Sequence, residues 1–167
     1  LFTTNVFSQS CEPYGTYIGE NGSTETINSA QGFSGSAPLS VDFVANPVVD
    51  YPNGTHFEWH FFEQTNRKNA FLVRYEQNTQ YTFTTAGSFQ ICLYEILGSD
   101  TINIYDPITV SISESEIVFP NAFSPNGDGI NDVYKAKKGF KSIVEFRAII
   151  FNRWGQKLFE WTDPNEG

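Results

Sequence analysis

The sequence predicts an all-β protein made of two consecutive β-sandwich domains. Three observations predict it. Aromatics make up 16% of the 167 residues, with 16 Phe and 8 Tyr, while charged residues make up 17%. That balance favours strands and turns over helices. Apolar residues alternate with polar ones over short runs separated by Gly and Asn, as half-buried strands do. The charge also breaks near residue 115: twelve acids and three bases (Arg67, Lys68, Arg74) precede it, and seven of each follow. The chain is long enough to bury a core, and neither half offers the basic face that nucleic acid demands.

Residues 1–11 open with "LFTTNVFSQS". The stretch is apolar, then small and polar, and lacks period-2 alternation. It reads as the remnant of a secretory signal, with a plain N-terminal strand as the alternative. Ser8 stands where a lipoprotein signal wants an aliphatic residue, so lipidation of Cys11 is not expected. No run approaches the roughly 20 apolar residues of a membrane helix. Cys11 and Cys92 are compatible with one disulfide or with two free thiols. Cys92 falls between Ile91 and Leu93 and so faces away from the core, and a bridge would lay the N-terminal segment across the outside of a sheet.

Residues 12–115 carry the clearest strands. "LSVDFVA" turns Leu39, Val41 and Phe43 to one side, and "HFEWHFF" turns Phe57, Trp59 and Phe61 inward. "FLVRY" offers Phe71, Val73 and Tyr75. "YTFTTAGSFQICLY" gives a strand, a turn at Ala86-Gly87, then Phe89, Ile91 and Leu93. "PITVSIS" closes with Ile108, Val110 and Ile112. This pattern suggests a β-sandwich.

His56, Glu58 and His60 alternate on one strand face and could ligate zinc, or form the wet face of a half-exposed strand. No Gly-x-Ser-x-Gly, phosphate loop or HExxH is present, and no carboxylate pair stands out, so no catalytic residue is assigned and no enzyme is expected.

At "APLSVDF", "HFEWHF" and "YTFTTAGSFQICL" this region resembles a PKD domain, an immunoglobulin-like sandwich. The resemblance covers about one hundred residues. It departs after the Trp strand, where "FEQTNRKN" replaces the Asp-Gly turn of the family. The resemblance implies a binding or spacer module.

From residue 116 the reading changes. Strands are expected at Ile117–Phe119, Ile143–Phe151 and Lys157–Trp161, with "NRWGQ" as the turn between the last two. "FPNAFSPNGDGINDVY" crowds Asn, Asp, Gly and Pro between apolar ends. Asn126, Asp128, the Ile130 carbonyl and Asp132 fall at positions 3, 5, 7 and 9 of a calcium loop, but Ser124 and Lys135 stand where acids are wanted. The same residues also read as a compact turn, with Pro125 fixing φ and the Asn and Asp side chains capping N–H groups.

Together, "FPNAFSPNGDGINDVY" and "IFNRWGQKLFE" resemble the gliding-motility-associated C-terminal domain, the type B sorting domain of the type IX secretion system in Bacteroidota. The motif maps onto Pro120, Asn121, Phe123, Ser124, Pro125, Asn126, Gly127, Asp128, Gly129, Asn131 and Asp132, then Asn152, Arg153, Trp154 and Gly155. The family continues beyond "DPNEG", so residues 116–167 would form an incomplete sandwich, its missing edge left out or supplied by a partner strand.

The resemblance implies a non-catalytic secreted or cell-surface protein. Its partners would be type IX components, among them a PorP/SprF-type outer-membrane barrel, with no nucleic acid. The alternative is a resident adaptor subunit docked to such a barrel. Lys135, Lys137, Lys138 and Lys141 form a basic cluster that reads as a solvated loop or a contact for an anionic partner. Thr101 in "DTI" resembles the O-glycan acceptor of Bacteroidota. No cofactor is expected beyond calcium in the loop.

Overall fold

The computed structural model describes residues 10–19 and 21–167, and residues 1–9 of the expected signal remnant at 1–11 lie outside them. Twelve strands and no helix occur among the described residues: β1 Tyr14–Ile18, β2 Thr24–Ile27, β3 Phe33–Gly35, β4 Leu39–Val44, β5 Thr55–Glu63, β6 Leu72–Arg74, β7 Asn78–Phe83, β8 Gly87–Leu97, β9 Asp100–Ile104, β10 Ile108–Ile112, β11 Ala148–Phe151 and β12 Lys157–Trp161. Among the described residues no helix is long and apolar enough to cross a membrane.

Two sheets face each other. One has the antiparallel order β2-β1-β4-β7, and the other the order β3-β10-β8-β5-β6, with β9 paired to β8. The β3–β10 pair is parallel, and the others of the second sheet are antiparallel. Period-2 alternation sends Val41 and Phe43, Trp59 and Phe61, Ile91 and Leu93, and Ile108 and Val110 into the space between the sheets, all buried. Phe43 meets Phe61 edge to face at 5.5 Å between ring centroids. Trp59 packs beside them, and its Nε1–H donates to the Gln77 carbonyl at 3.1 Å, so the buried indole leaves no polar atom unpaired.

Four strands were not anticipated: β1, β2, β3 and β9 are short and carry little apolar alternation. At β6 the expected phase is wrong. The strand is limited to Leu72–Arg74 and pairs Leu72 with Phe61 and Val73 with His60, so Leu72 takes the inner side. Phe71 (44% exposed) and Tyr75 (73% exposed) fall outside it. An edge strand has one neighbour, and its flanking aromatics stay at the rim.

The alternation of β8 continues past Leu93 to Glu95, which is 1% exposed. Its Oε2 accepts hydrogen bonds from Ser10 Oγ (2.8 Å), Asn103 Nδ2 (2.7 Å) and Tyr105 OH (2.9 Å). The Tyr105 oxygen in turn accepts from the amides of Ser10 (3.0 Å) and Cys11 (3.1 Å). Burial pushes the Tyr105 phenol up to about 12. The knot draws Ser10 and Cys11 into the end of the sandwich.

That placement corrects the disulfide. Cys11 belongs to the core cluster, whereas Cys92 pairs with His60 on the outer face of the second sheet, and both are free thiols. A bridge would have to pass through the sheet, which disulfide geometry forbids. Burial raises both thiols, Cys92 to about 11, so neither is a thiolate at neutral pH.

On that outer face Glu58 lies between two imidazoles, 2.8 Å from His60 Nε2 and 3.6 Å from His56 Nε2. Tyr94 covers the His60 ring at 4.2 Å. Among the described residues no group of three or more His, Cys, Asp or Glu side chains is placed to hold a metal ion.

Residues 116–167 are less regular. Of the three expected strands, Ile117–Phe119 is not one, Ile143–Phe151 shortens to β11, and Lys157–Trp161 is β12. These two form an antiparallel hairpin with a register shift at Ile150/Phe151. The segment is tied to the sandwich through Ser142. This buried residue donates its hydroxyl to the Ser113 carbonyl (2.8 Å) and accepts from the Ala37 amide (3.1 Å). Its own carbonyl accepts from Ser115 Oγ (2.9 Å), and Glu116 and Lys141 exchange backbone bonds beside it.

Candidate recognition site

The first motif forms a loop that caps itself. Asp132 Oδ1 accepts from the Gly127 amide and Oδ2 from the Gly129 amide, both at 2.7 Å. Asp128 Oδ1 accepts from the Ile130 amide at 2.7 Å, and its Oδ2 from Asn126 Nδ2 at 2.9 Å. Asn126 Oδ1 accepts from the Asp128 amide at 3.3 Å. The Ser124 amide reaches the Asn131 carbonyl at 2.9 Å and closes the loop.

The backbone explains the residue types. Gly127 (φ 78°), Gly129 (φ 82°) and Asn131 (φ 57°) lie in the left-handed region. Glycine enters it without steric cost, and asparagine tolerates it better than most. These turns aim successive N–H groups inward, where Asp128 and Asp132 collect them. The side-chain bond from Asn126 and the amide of Ile130 hold the Asp128 carboxyl below the usual range, and the amides of Gly127 and Gly129 do the same for Asp132.

The expected calcium ligands Asn126, Asp128 and Asp132 serve here as caps of the loop's own backbone. Calcium takes six to eight oxygens. Each candidate side-chain oxygen of Asn126, Asp128 and Asp132 accepts one N–H group of the same loop. The geometry is that of a turn.

The second motif is built the same way on a hairpin. Asn152 Oδ1 accepts from the amides of Trp154 and Gln156, both at 3.0 Å. The Asn152 backbone bonds both ways, to Gln156 O (2.9 Å) and from Gly155 N (3.0 Å), and Gly155 sits at φ 81°. The fixed tip leaves Trp154 75% exposed, with the Arg153 guanidinium 4.1 Å from its ring centroid. Beside the hairpin, Glu160 bonds Arg147 Nε (2.6 Å) and Lys157 Nζ (2.7 Å). These two cations bring its carboxyl down to about 2.

The bonds of each turn close within that turn. What joins the two motifs is aromatic packing. Phe119, just before the first motif, stacks on Tyr134, just after it, at 5.7 Å, and meets Phe146 at 6.2 Å and Trp161 at 6.5 Å. Phe123 leans on Tyr134. Pro120 and Asn121 connect Phe119 to the loop. Trp161 is the buried centre of this cluster, and its Nε1–H has no partner among the described residues. Around it Phe123, Ile130, Val144, Phe151, Leu158 and Phe159 remain exposed.

Sequence reasoning placed both motifs but not the cluster, because Phe119, Tyr134, Phe146 and Trp161 follow no single period. The four lysines stay on the loop: Lys135, Lys137, Lys138 and Lys141 are exposed, and none forms an ion pair among the described residues. Thr101 is exposed on β9, which among the described residues pairs only with β8.

No curated protein and no solved structure matches the chain. Residues 117–166, which hold both motifs and the aromatic cluster between them, match the CHU_C type IX secretion signal domain, so the chain carries a signal that sorts its protein to the cell surface or the extracellular space.

Proposed function

We propose that the two self-capped turns are the recognition surface of the secretion signal, and that residues 12–115 are a PKD-like, non-catalytic binding or spacer module carried with it. One observation supports this most. The Asn152–Gln156 turn spends its hydrogen bonds on holding a tryptophan out in solvent. Exposing a large aromatic on a rigid tip forgoes burial and suits an anchor for a partner pocket. The first loop likewise spends its carboxylates on its own backbone, which favours a fixed shape over proton transfer.

In this reading the machinery is that of a Bacteroidota cell, the partner that receives the tip is a PorP/SprF-type outer-membrane barrel, and Thr101 is an O-glycan acceptor. The test is secretion of a reporter fused ahead of residues 116–167. Trp154→Ala should leave the fusion folded but retained in the periplasm. Secretion at the unmodified rate would reject Trp154 as the anchor.

A second reading, a resident adaptor on such a barrel, is favoured by the exposed apolar residues of the hairpin, Phe151, Leu158 and Phe159. A permanent partner would keep them covered. Co-purification of a barrel with the native protein supports the adaptor, and release of the protein alone supports cargo.

A further inference from the structure

At one side of the sandwich, between the β1–β2 hairpin and the β3–β4 segment, lies a groove of about 620 Å³. Tyr17, Asn21, Glu25, Phe33, Ser34 and Ser36 supply its aromatic and polar groups. Tyr17 meets Phe33 edge to face at 4.9 Å, and its hydroxyl donates to Glu25 Oε2 at 2.8 Å.

Two glycines seat these walls. A Cβ on Gly19 would run into the Glu25 carboxylate, and a Cβ on Gly35 would run into the Phe33 ring. Neither glycine has a positive φ. They supply room, and each gives it to a side chain that lines the groove. Among the described residues the lining holds one carboxylate and no lysine or arginine.

We infer that this groove binds a neutral oligosaccharide. The inference rests on the reading of residues 12–115 as a binding module rather than a spacer. The volume lies within the usual range for small-ligand sites, about 300–1,000 Å³. A sugar ring presents an apolar C–H face, which suits the Tyr17 and Phe33 rings. It also presents many hydroxyl donors, which suit a carboxylate already fixed by a tyrosine. Asn21 uses its Oδ1 on Ser23 and keeps its NH₂ for a ring or hydroxyl oxygen. An acidic glycan is opposed by Glu25 and by the excess of acids over residues 1–115. An extended peptide would instead pair with the free edge of β3 and leave Glu25 unused.

Titration calorimetry on the full chain tests this, with cellohexaose, xylohexaose and mannohexaose as neutral probes and hexagalacturonate as the acidic one. Saturable binding to a neutral hexasaccharide is expected, with hexagalacturonate weaker. Glu25→Gln should weaken that binding about tenfold with an unchanged melting temperature. Phe33→Ala should abolish it. If Phe33→Ala does not fold, Tyr17→Phe removes only the hydroxyl that orients Glu25 and should weaken binding severalfold. The inference is overturned if none of the three neutral probes binds, if Glu25→Gln binds as well as the unmodified chain, or if hexagalacturonate binds more tightly. Neutral-probe failure with intact reporter secretion would remove this groove and leave the secretion reading in place.

Discussion

Asp132 and Gly129 close the first motif: the aspartate Oδ2 lies 2.7 Å from the glycine amide nitrogen, across a turn that Gly129 makes at φ 82°. Each residue type answers a different requirement. A Cβ at Gly129 would meet nothing within 4 Å, so the position is open in space and restricted only by its backbone. Gly129→Val should therefore destabilise the loop by about 1–3 kcal/mol through strain alone. Asp132→Ala should disorder the loop by freeing the amides of Gly127 and Gly129. For a loop that works as a self-capped turn, EDTA should leave the melting curve unchanged. A drop in melting temperature on chelation would show that the loop opens to hold an ion.

The same carboxylates set a pH dependence. Asp128 and Asp132 are held below their ordinary value in the folded chain, Asp128 first by Asn126 and Asp132 by two backbone amides. A depressed carboxylate contributes stability that is complete above its unfolded pKa, about 3.9 for aspartate, and is lost as pH falls through the lower folded value. The loop should hold at pH 5 and open below about pH 4. The amide shifts of Gly127, Gly129 and Ile130 report it directly. Their common midpoint should fall below that of a free aspartate, and a midpoint at or above it would contradict the capping.

Legibility in the sequence followed the physics of each element. Strands that bury one face over at least five residues announce themselves, and β4, β5, β8 and β10 lie where alternation put them, with Trp59 at the centre. β6 was misphased because a three-residue edge strand has too few positions to fix a period. Glu95 was missed because its burial depends on Ser10, Asn103 and Tyr105, three partners scattered along the chain. The turns at Asn126–Asp132 and Asn152–Gly155 were visible because their chemistry is local. The strand expected at Ile117–Phe119 fails for the opposite reason: its apolar residues join an aromatic cluster rather than a ladder.

The two thiols give a chemical test of the sandwich. Cys11 lies in the core and Cys92 on the outer face. A thiol-reactive probe should label both in the unfolded, unreduced protein. In the native protein labelling should be slow at pH 7, since burial raises both thiols and little thiolate forms. Failure to label either site after unfolding would mean that the cysteines are bridged and that the strand faces are misassigned.

Ser142 is the link whose loss should separate the two regions. It adopts φ 50° and is buried, and its hydroxyl serves the Ala37 amide and the Ser113 carbonyl together. Ser142→Ala keeps the backbone but leaves the buried Ala37 amide unpaired, at a cost of about 1–3 kcal/mol, whereas the carbonyl of the exposed Ser113 can turn to water. The cost falls on the junction, because Phe43, Trp59 and Phe61 are untouched. Hydrogen exchange should therefore quicken at the amides of Ala37, Glu116 and Lys141, while protection in β5 and β8 stays as it was. Ser142→Thr retains the hydroxyl but adds a β-branch at positive φ, so it should restore the bonds only partly. Unchanged exchange at Ala37 in Ser142→Ala would show that water replaces the hydroxyl without loss, and that Ser142 does not hold residues 116–167 to the sandwich.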